Sequence, residues 1–204
     1  KSVTDGFEGR LGMHGPFWGL DIANPDRAIA DGIAKRYLQA TEIAAEIGAW
    51  QMVVHSPFDH WDQYNAYNFG SLGESDVAEK TAEDVRRVLT PALEFAQDHG
   101  VTLVVENIKD TNPRFRREMV EFIGSHAMAL SVDTGHAQIA KRSLGAPPVD
   151  VFVRDAGHLL RHVHIQDTDG YADRHWKPGE GHIEWVEVFR ALADLESQPQ
   201  LVLE

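Results

Sequence analysis

Six short runs of β-branched and other apolar residues each end in a side chain that can bind a metal ion or move a proton. Imidazole nitrogens and carboxylate oxygens are ligands of divalent metal ions, and carboxylates also act as general bases. The chain has 11 His and 32 Asp and Glu among 204 residues, so six such placements by chance are improbable. The six residues are His14, His55, Glu106, Asp133, His164 and Glu204.

Alternation within these runs predicts where the side chains point. Residues two apart in a strand share one face of the sheet, so each run separates into two sets. In the run that ends at Glu106, Leu103 and Val105 form one set, whereas Val104 and Glu106 form the other. The same phase holds in all six runs. We therefore expect the apolar sets to contact helices and the polar strand ends to converge inside a barrel.

Three carboxylates at neighbouring strand ends predict a bound cation. Glu106, Asp133 and Glu204 would repel one another in a partly desolvated site unless a divalent metal neutralised them. Together with His164 they offer carboxylate oxygens and one imidazole nitrogen, a set that suits Mn²⁺, Co²⁺, Mg²⁺ or Zn²⁺. The residue types do not choose among these metals.

The elements that must position these residues alternate between strands and helices, which is typical of α/β proteins with a parallel sheet. Pro91 lies inside the second predicted helix and is expected to kink or divide it. The predicted strands cover about 10–14, 50–55, 101–106, 128–133, 161–166 and 200–204. The predicted helices cover about 26–47, 75–97, 113–123, 135–144, 149–160 and 182–195.

The number of units predicts a TIM-type (β/α) barrel in a single domain, residues 1–204. A closed barrel typically needs about 250 residues, so six units fit an incomplete copy that lacks the first βα units and the last helix. The chain starts without Met and stops at Glu204, which favours a fragment. An open, doubly wound sheet is the alternative. The connections 56–74 and 167–181 follow strands and are expected to be substrate loops.

Composition and charge narrow the classes of molecule that the protein is expected to bind. The net charge of −13 makes nucleic acid an unlikely ligand, and no apolar run reaches the roughly 18 residues of a membrane span. The chain has no Cys, which fits a cytoplasmic protein. The composition is also compatible with a homo-oligomer. Arg114, Arg116 and Arg117 lie near Glu118 and Glu121, so we expect them on a solvated helix face.

Seven segments resemble those of the xylose-isomerase-like TIM barrels, which include sugar isomerases, sugar epimerases and metal-dependent abasic-site endonucleases. The most specific are DTGH, VHIQD and the D-R-H-x-x-P-G-E-G-H-I pattern. The segments are LGMHGPF at 11–17, VVHSPF at 53–58, VVEN at 104–107, SVDTGHA at 131–137, HVHIQD at 162–167, DRHWKPGEGHIEW at 173–185 and LVLE at 201–204.

The resemblance implies a sugar isomerase or epimerase with one divalent metal held by Glu106, Asp133, His164 and Glu204. In that branch the metal binds two adjacent oxygens of an open-chain sugar, and the two glutamates move a proton through an enediolate. Glu106 and Glu204 would be these catalytic residues. His136 and Arg174 match the family's substrate-binding positions.

The resemblance leaves three other functions open. A dehydratase or lyase on a sugar acid or cyclitol would use the same residues, and a metal-stabilised barrel subunit would need no catalysis. The endonuclease branch binds three zinc ions, and charge and the aromatic loops argue against it. Its nine ligands would be His14, His55, Glu106, Asp133, His136, His164, Asp173, His175 and Glu204. The aromatic residues are Trp18, Trp61, Tyr64, Tyr67, Phe69, Tyr171 and Trp176.

Overall fold

The structure is a computed structural model that describes residues 6–58 and 74–204. Its strands are β1 Leu11–His14, β2 Ala49–His55, β3 Thr102–Glu106, β4 Met128–Asp133, β5 Leu160–Ile165 and β6 Gln200–Leu203. Its helices are α1 Arg27–Glu46, α2 Glu74–His99, α3 Pro113–Ile123, α4 Thr134–Leu144, α5 Val149–Ala156 and α6 Trp185–Ala193, with a 3₁₀ turn at Gly157–Leu159. No helix within the described ranges is both long enough and apolar enough to cross a membrane.

The six strands form one parallel sheet in the order β1-β2-β3-β4-β5-β6. A doubly wound sheet would reverse its strand order partway, so the sequential order rules out that alternative. The sheet curls, so that side chains of β2 reach distant strands: the Trp50 indole donates to Gln200 Oε1 on β6 at 3.1 Å, and Gln51 Nε2 donates to the Arg161 carbonyl on β5 at 3.2 Å. The predicted incomplete TIM-type barrel is confirmed.

The two faces of the sheet carry the side chains that alternation predicted. Met52, Leu103 and Val132 belong to the large apolar core between the sheet and the helices. Val53, Val104 and Ala129 form a separate small apolar cluster on the concave face. The polar strand ends share the phase of this second cluster and therefore point to the concave side.

Three helices differ from prediction. Helix α5 ends at Ala156 and not near 160, and a 3₁₀ turn follows it. Helix α2 continues through Pro91 undivided: the proline is exposed, and its neighbours Leu89 and Ala92 are fully buried, so packing holds the helix together despite the lost hydrogen bond. Helix α6 begins at Trp185 and not near His182. The preceding residues instead join the loop, where the backbone N–H of His182 donates to the Thr168 carbonyl at 2.9 Å and that of Ile183 donates to the Asp167 carboxylate at 3.3 Å.

Candidate metal centre

The ring nitrogen Nδ1 of His164 is the centre of the predicted ligand set. It lies 2.6 Å from Glu106 Oε2, 3.3 Å from Glu204 Oε2 and 3.9 Å from Asp133 Oδ2. This nitrogen is buried and makes no hydrogen bond, so the short distance to Glu106 is not that of a well-aligned donor and acceptor. Three carboxylate oxygens that converge on one imidazole nitrogen form a donor set that could hold one shared cation. The four residues are thus brought together as the alternation predicted.

A second group adjoins this central cluster at the ends of β1 and β2. The Nε2 atoms of His14 and His55 lie 3.2 Å apart, and both rings have ligand atoms within 4.8 Å of Glu106. His14 Nδ1 donates to the Gly15 carbonyl at 2.8 Å, so the lone pair of its Nε2 faces His55 Nε2. Metal-binding histidines almost always donate a hydrogen bond from their other ring N–H in this way.

A third group, here called the outer triad, consists of His136, Asp173 and His175. The Oδ2 atom of Asp173 lies 3.4 Å from His136 Nε2 and 3.0 Å from His175 Nε2. His136 Nδ1 lies 3.1 Å from the Asn107 carbonyl, so Nε2 is again the nitrogen that faces the triad. Arg174 is not part of this group, because it pairs with Asp169 at 3.2 Å and lies over the Trp176 ring.

Electrostatics show how much negative charge these groups concentrate. Burial raises the pKa of Asp133 to about 8, and the nearby carboxylates of Glu106 and Glu204 add to the shift. Burial alone would lower the pKa of His136, but Asp133 and Asp173 raise it to about 10. Both shifts therefore favour bound protons on Asp133 and His136 when no cation is present. A metal ion would replace these protons, so the donor set fits a divalent cation.

Two side chains that the sequence reasoning missed hold the strand ends in place. Asn107 pairs with the backbone of Asp133 in both directions: its Nδ2 donates to the carbonyl and its Oδ1 accepts from the N–H, each at 3.0 Å. Arg116 Nη1 donates to the carbonyls of Val105 at 3.0 Å and Ser131 at 2.5 Å. Each acceptor lies within two residues of a predicted ligand.

The expectation that Arg116 is solvated is wrong. Its side chain is 1% exposed and its Nε faces Asp110 Oδ1 at 3.5 Å, where Asp110 also accepts from Ser56 Oγ at 2.9 Å. The strand-end carbonyls need donors, and a buried guanidinium supplies several at once. Arg114 and Arg117 are more exposed and pair with Glu118 and Glu121 respectively, as expected for a solvated face.

Asp167 anchors the loop that carries the outer triad. Its carboxylate accepts the backbone N–H groups of Thr168 and Gly179, each at 2.8 Å, and the Trp185 indole at 2.7 Å. Gly181 is required here because a Cβ would overlap Asp167 Oδ1 and the Thr168 backbone. Burial opposes ionisation, but the donors outweigh it and lower the pKa of Asp167.

Replacing Asp167 by Asn is expected to lower the free energy of unfolding at pH 7 by about 2 kcal/mol. The NH₂ group of the asparagine would replace an acceptor oxygen and face N–H donors that it cannot bind. The pKa of Asp167 is lower in the folded chain than in the unfolded one. Its stabilisation is therefore present above about pH 3.9 and lost as the pH falls through the folded value. The difference between wild type and variant in urea unfolding should shrink at pH 3. Asp98→Asn, at an exposed site, is the control, and an equal loss there would contradict the prediction.

A cleft of about 400 Å³ opens beside His55, a size suited to a small-molecule ligand. Its wall includes Phe17, Asp21, Phe58 and Lys109. The Phe17 ring stacks on His55 with centroids 4.7 Å apart, which places an aromatic surface next to the candidate ligand cluster. Trp18, Tyr171 and Trp176 are exposed. Four other predicted loop aromatics, Trp61, Tyr64, Tyr67 and Phe69, lie outside the described residues.

Fold and site together define an incomplete parallel α/β barrel with a cluster of candidate metal ligands at the carboxyl ends of its strands. The sequence model of the xylose isomerase-like TIM barrel family matches residues 4–204, and the chain belongs to this family. The predicted family is confirmed.

Relatives of the chain include sugar epimerases. An uncharacterized protein of Methanocaldococcus jannaschii is 28% identical over 95% of this chain and 63% of its own length. Fructoselysine 3-epimerase of Escherichia coli O157:H7 is 29% identical over 52% of this chain and 39% of its own length. D-psicose 3-epimerase of Ruminiclostridium cellulolyticum is 23% identical over 94% of this chain and 61% of its own length. The chain thus spans less than two thirds of each relative.

Solved structures share the fold. A crystal structure of a D-tagatose 3-epimerase-like protein superposes with a TM-score of 0.78 at 24% identity, over 99% of this chain and 73% of that protein. A Thermus thermophilus protein soaked with ZnCl₂ superposes with a TM-score of 0.75 at 28% identity, over 99% of this chain and 74% of that protein.

Proposed function

We propose that the protein is a divalent-metal-dependent sugar isomerase or epimerase, which moves a proton at the carbon next to the carbonyl group of an open-chain sugar. The observation that carries the proposal is the convergence of Glu106, Asp133 and Glu204 on His164 Nδ1 within 3.9 Å. Relatives that are sugar 3-epimerases support it.

Glu106, Asp133, His164 and Glu204 would hold the cation. When bound, a divalent metal supplies Lewis acidity, which stabilises the negative charge that develops on the substrate oxygens during proton removal. Cation identity is open among Mn²⁺, Co²⁺, Mg²⁺ and Zn²⁺, since mixed oxygen and nitrogen ligands suit all four.

In this proposal Glu106 and Glu204 are the residues that remove and return the proton. Glu106 is fixed, because it is buried and lies near Ser131 Oγ at 3.4 Å, whereas Glu204 is exposed at the end of β6. Carboxylates on either side of a planar intermediate can protonate opposite faces, which inverts a carbon centre. His136 and Arg174 would bind substrate hydroxyls, and Phe17 would contact the apolar face of the sugar.

The test combines metal content with proton exchange. We expect close to one Mn, Co, Mg or Zn per chain in protein purified without added metal, and less in Glu204→Gln. Ketoses incubated with the loaded wild type in D₂O should gain one non-exchangeable deuterium, detected by mass spectrometry. Glu42→Gln, which removes an exposed carboxylate on α1, should match the wild type. Absence of metal and of deuterium uptake would refute the proposal, whereas uptake with loss of water would indicate a dehydratase.

A trinuclear-zinc abasic-site endonuclease is the second candidate. The observation that favours it is the presence of two further ligand groups, the His14 and His55 pair at 3.2 Å and the outer triad. Close to three zinc ions per chain, with cleavage of a duplex that contains one abasic site, would support this function over the sugar enzyme.

A further inference from the structure

Gln166 occupies the junction between the central cluster and the outer triad. It is fully buried at the first position after β5. Its backbone is fixed by Thr134: the Gln166 N–H donates to Thr134 Oγ1 at 3.0 Å, and that hydroxyl donates to the Gln166 carbonyl at 2.7 Å. The side chain therefore starts from a backbone with little freedom to move.

The carboxamide of Gln166 contacts both groups at once. Its Nε2 lies 2.9 Å from Asp173 Oδ1 and 3.3 Å from each carboxylate oxygen of Asp133. Its Oε1 accepts the backbone N–H of His175 at 3.2 Å. One neutral amide thus bridges the side chains of Asp133 and Asp173 and also accepts the backbone N–H of His175.

Two neighbouring features show that this arrangement is specific. A Cβ at Gly135 would overlap the Gln166 carboxamide, so only glycine leaves room for it. His175 has φ of 51°, a left-handed conformation that costs a non-glycine residue about 1 kcal/mol or more. The hydrogen bond to Gln166 stabilises that conformation, which turns the His175 ring toward Asp173.

We propose that Gln166 is a positioning residue that holds the Asp173–His175 segment against Asp133 and thereby sets the geometry of the outer triad relative to the central cluster. The inference concerns the same site as the proposed function and rests on it only for the consequence in metal affinity. Residues that orient metal ligands typically contribute 10–100-fold in affinity, so the loss of this amide should weaken binding by a similar factor.

The first test needs no metal. Hydrogen exchange of the metal-free protein, followed by mass spectrometry, should show a peptide that contains His175 exchanging about tenfold faster in Gln166→Leu than in the wild type. Gln51→Leu is the matched control, because Gln51 is also a buried glutamine but donates to the Arg161 carbonyl on β5. Unchanged exchange in Gln166→Leu would overturn the proposal.

The second test is calorimetric titration of the metal-free variants with Zn²⁺. We expect Gln166→Leu to bind 10–100-fold more weakly than the wild type, while Gln51→Leu keeps the wild-type affinity at a similar melting temperature. Equal affinities in wild type and Gln166→Leu would overturn the proposal. If parallel titrations show that the wild type binds none of Zn²⁺, Mn²⁺, Co²⁺ and Mg²⁺, the proposed function fails, and the exchange experiment alone decides the role of Gln166.

Discussion

Replacing Glu106 by Gln is expected to slow deuterium incorporation into a ketose substrate by about 10²–10⁴-fold, the usual contribution of a positioned general base. The amide has nearly the same shape but cannot accept the proton. The variant should keep its fold, because the buried side chain is not enlarged. Exchange rates measured by mass spectrometry at saturating metal, together with metal content of the same samples, would give the effect.

The metal measurement separates two causes of a lost rate. Glu106 is both a predicted ligand and a predicted base, so the exchange rates of wild type and variant must be compared at equal metal loading. Ser131→Ala is the control, since it removes a 3.4 Å contact of Glu106 without removing the carboxylate, and it should reduce the rate far less. A fully loaded Glu106→Gln variant that exchanges within tenfold of the wild type would show that another residue is the base.

Replacing Arg116 by Met is expected to lower the free energy of unfolding by about 3–5 kcal/mol, which is typical when one partner of a buried ion pair is removed. The substitution leaves Asp110 buried without its cation and the Val105 and Ser131 carbonyls without their donor. Urea unfolding followed by circular dichroism would measure the loss.

Two further variants test whether the loss of stability comes from the buried ion pair. Asp110→Asn combined with Arg116→Met should recover part of the stability, because a neutral amide replaces the isolated carboxylate. Arg114→Met, on the exposed part of the same helix, should cost less than about 1 kcal/mol. A similar loss for Arg114→Met and Arg116→Met would mean that the buried ion pair is not the cause.

The sequence predicted the barrel and the convergence of the six strand ends, because both follow from local patterns. Alternation within a strand places Glu106 and His164 on one face, and parallel strands bring equivalent ends together. The network around them depends on contacts between distant segments. Arg116 lies in a charged stretch that is typical of a solvated helix, and its burial follows from the strand-end carbonyls that it reaches. Nothing in the residue type or sequence position of Gln166 predicts a role at the site, and only the tertiary contacts reveal its bridging position.

The central cluster also bears on how the chain folds. Glu106, Asp133, His164 and Glu204 come from separate strands that follow one another along the sheet, so an unfolded chain cannot bring them together without closing long loops. A cation that these residues hold binds the native state alone and raises the melting temperature as its concentration increases. Binding of the proposed cation and assembly of the strand order would thus be one linked equilibrium, in which the cation would act as a crosslink between β3 and β6.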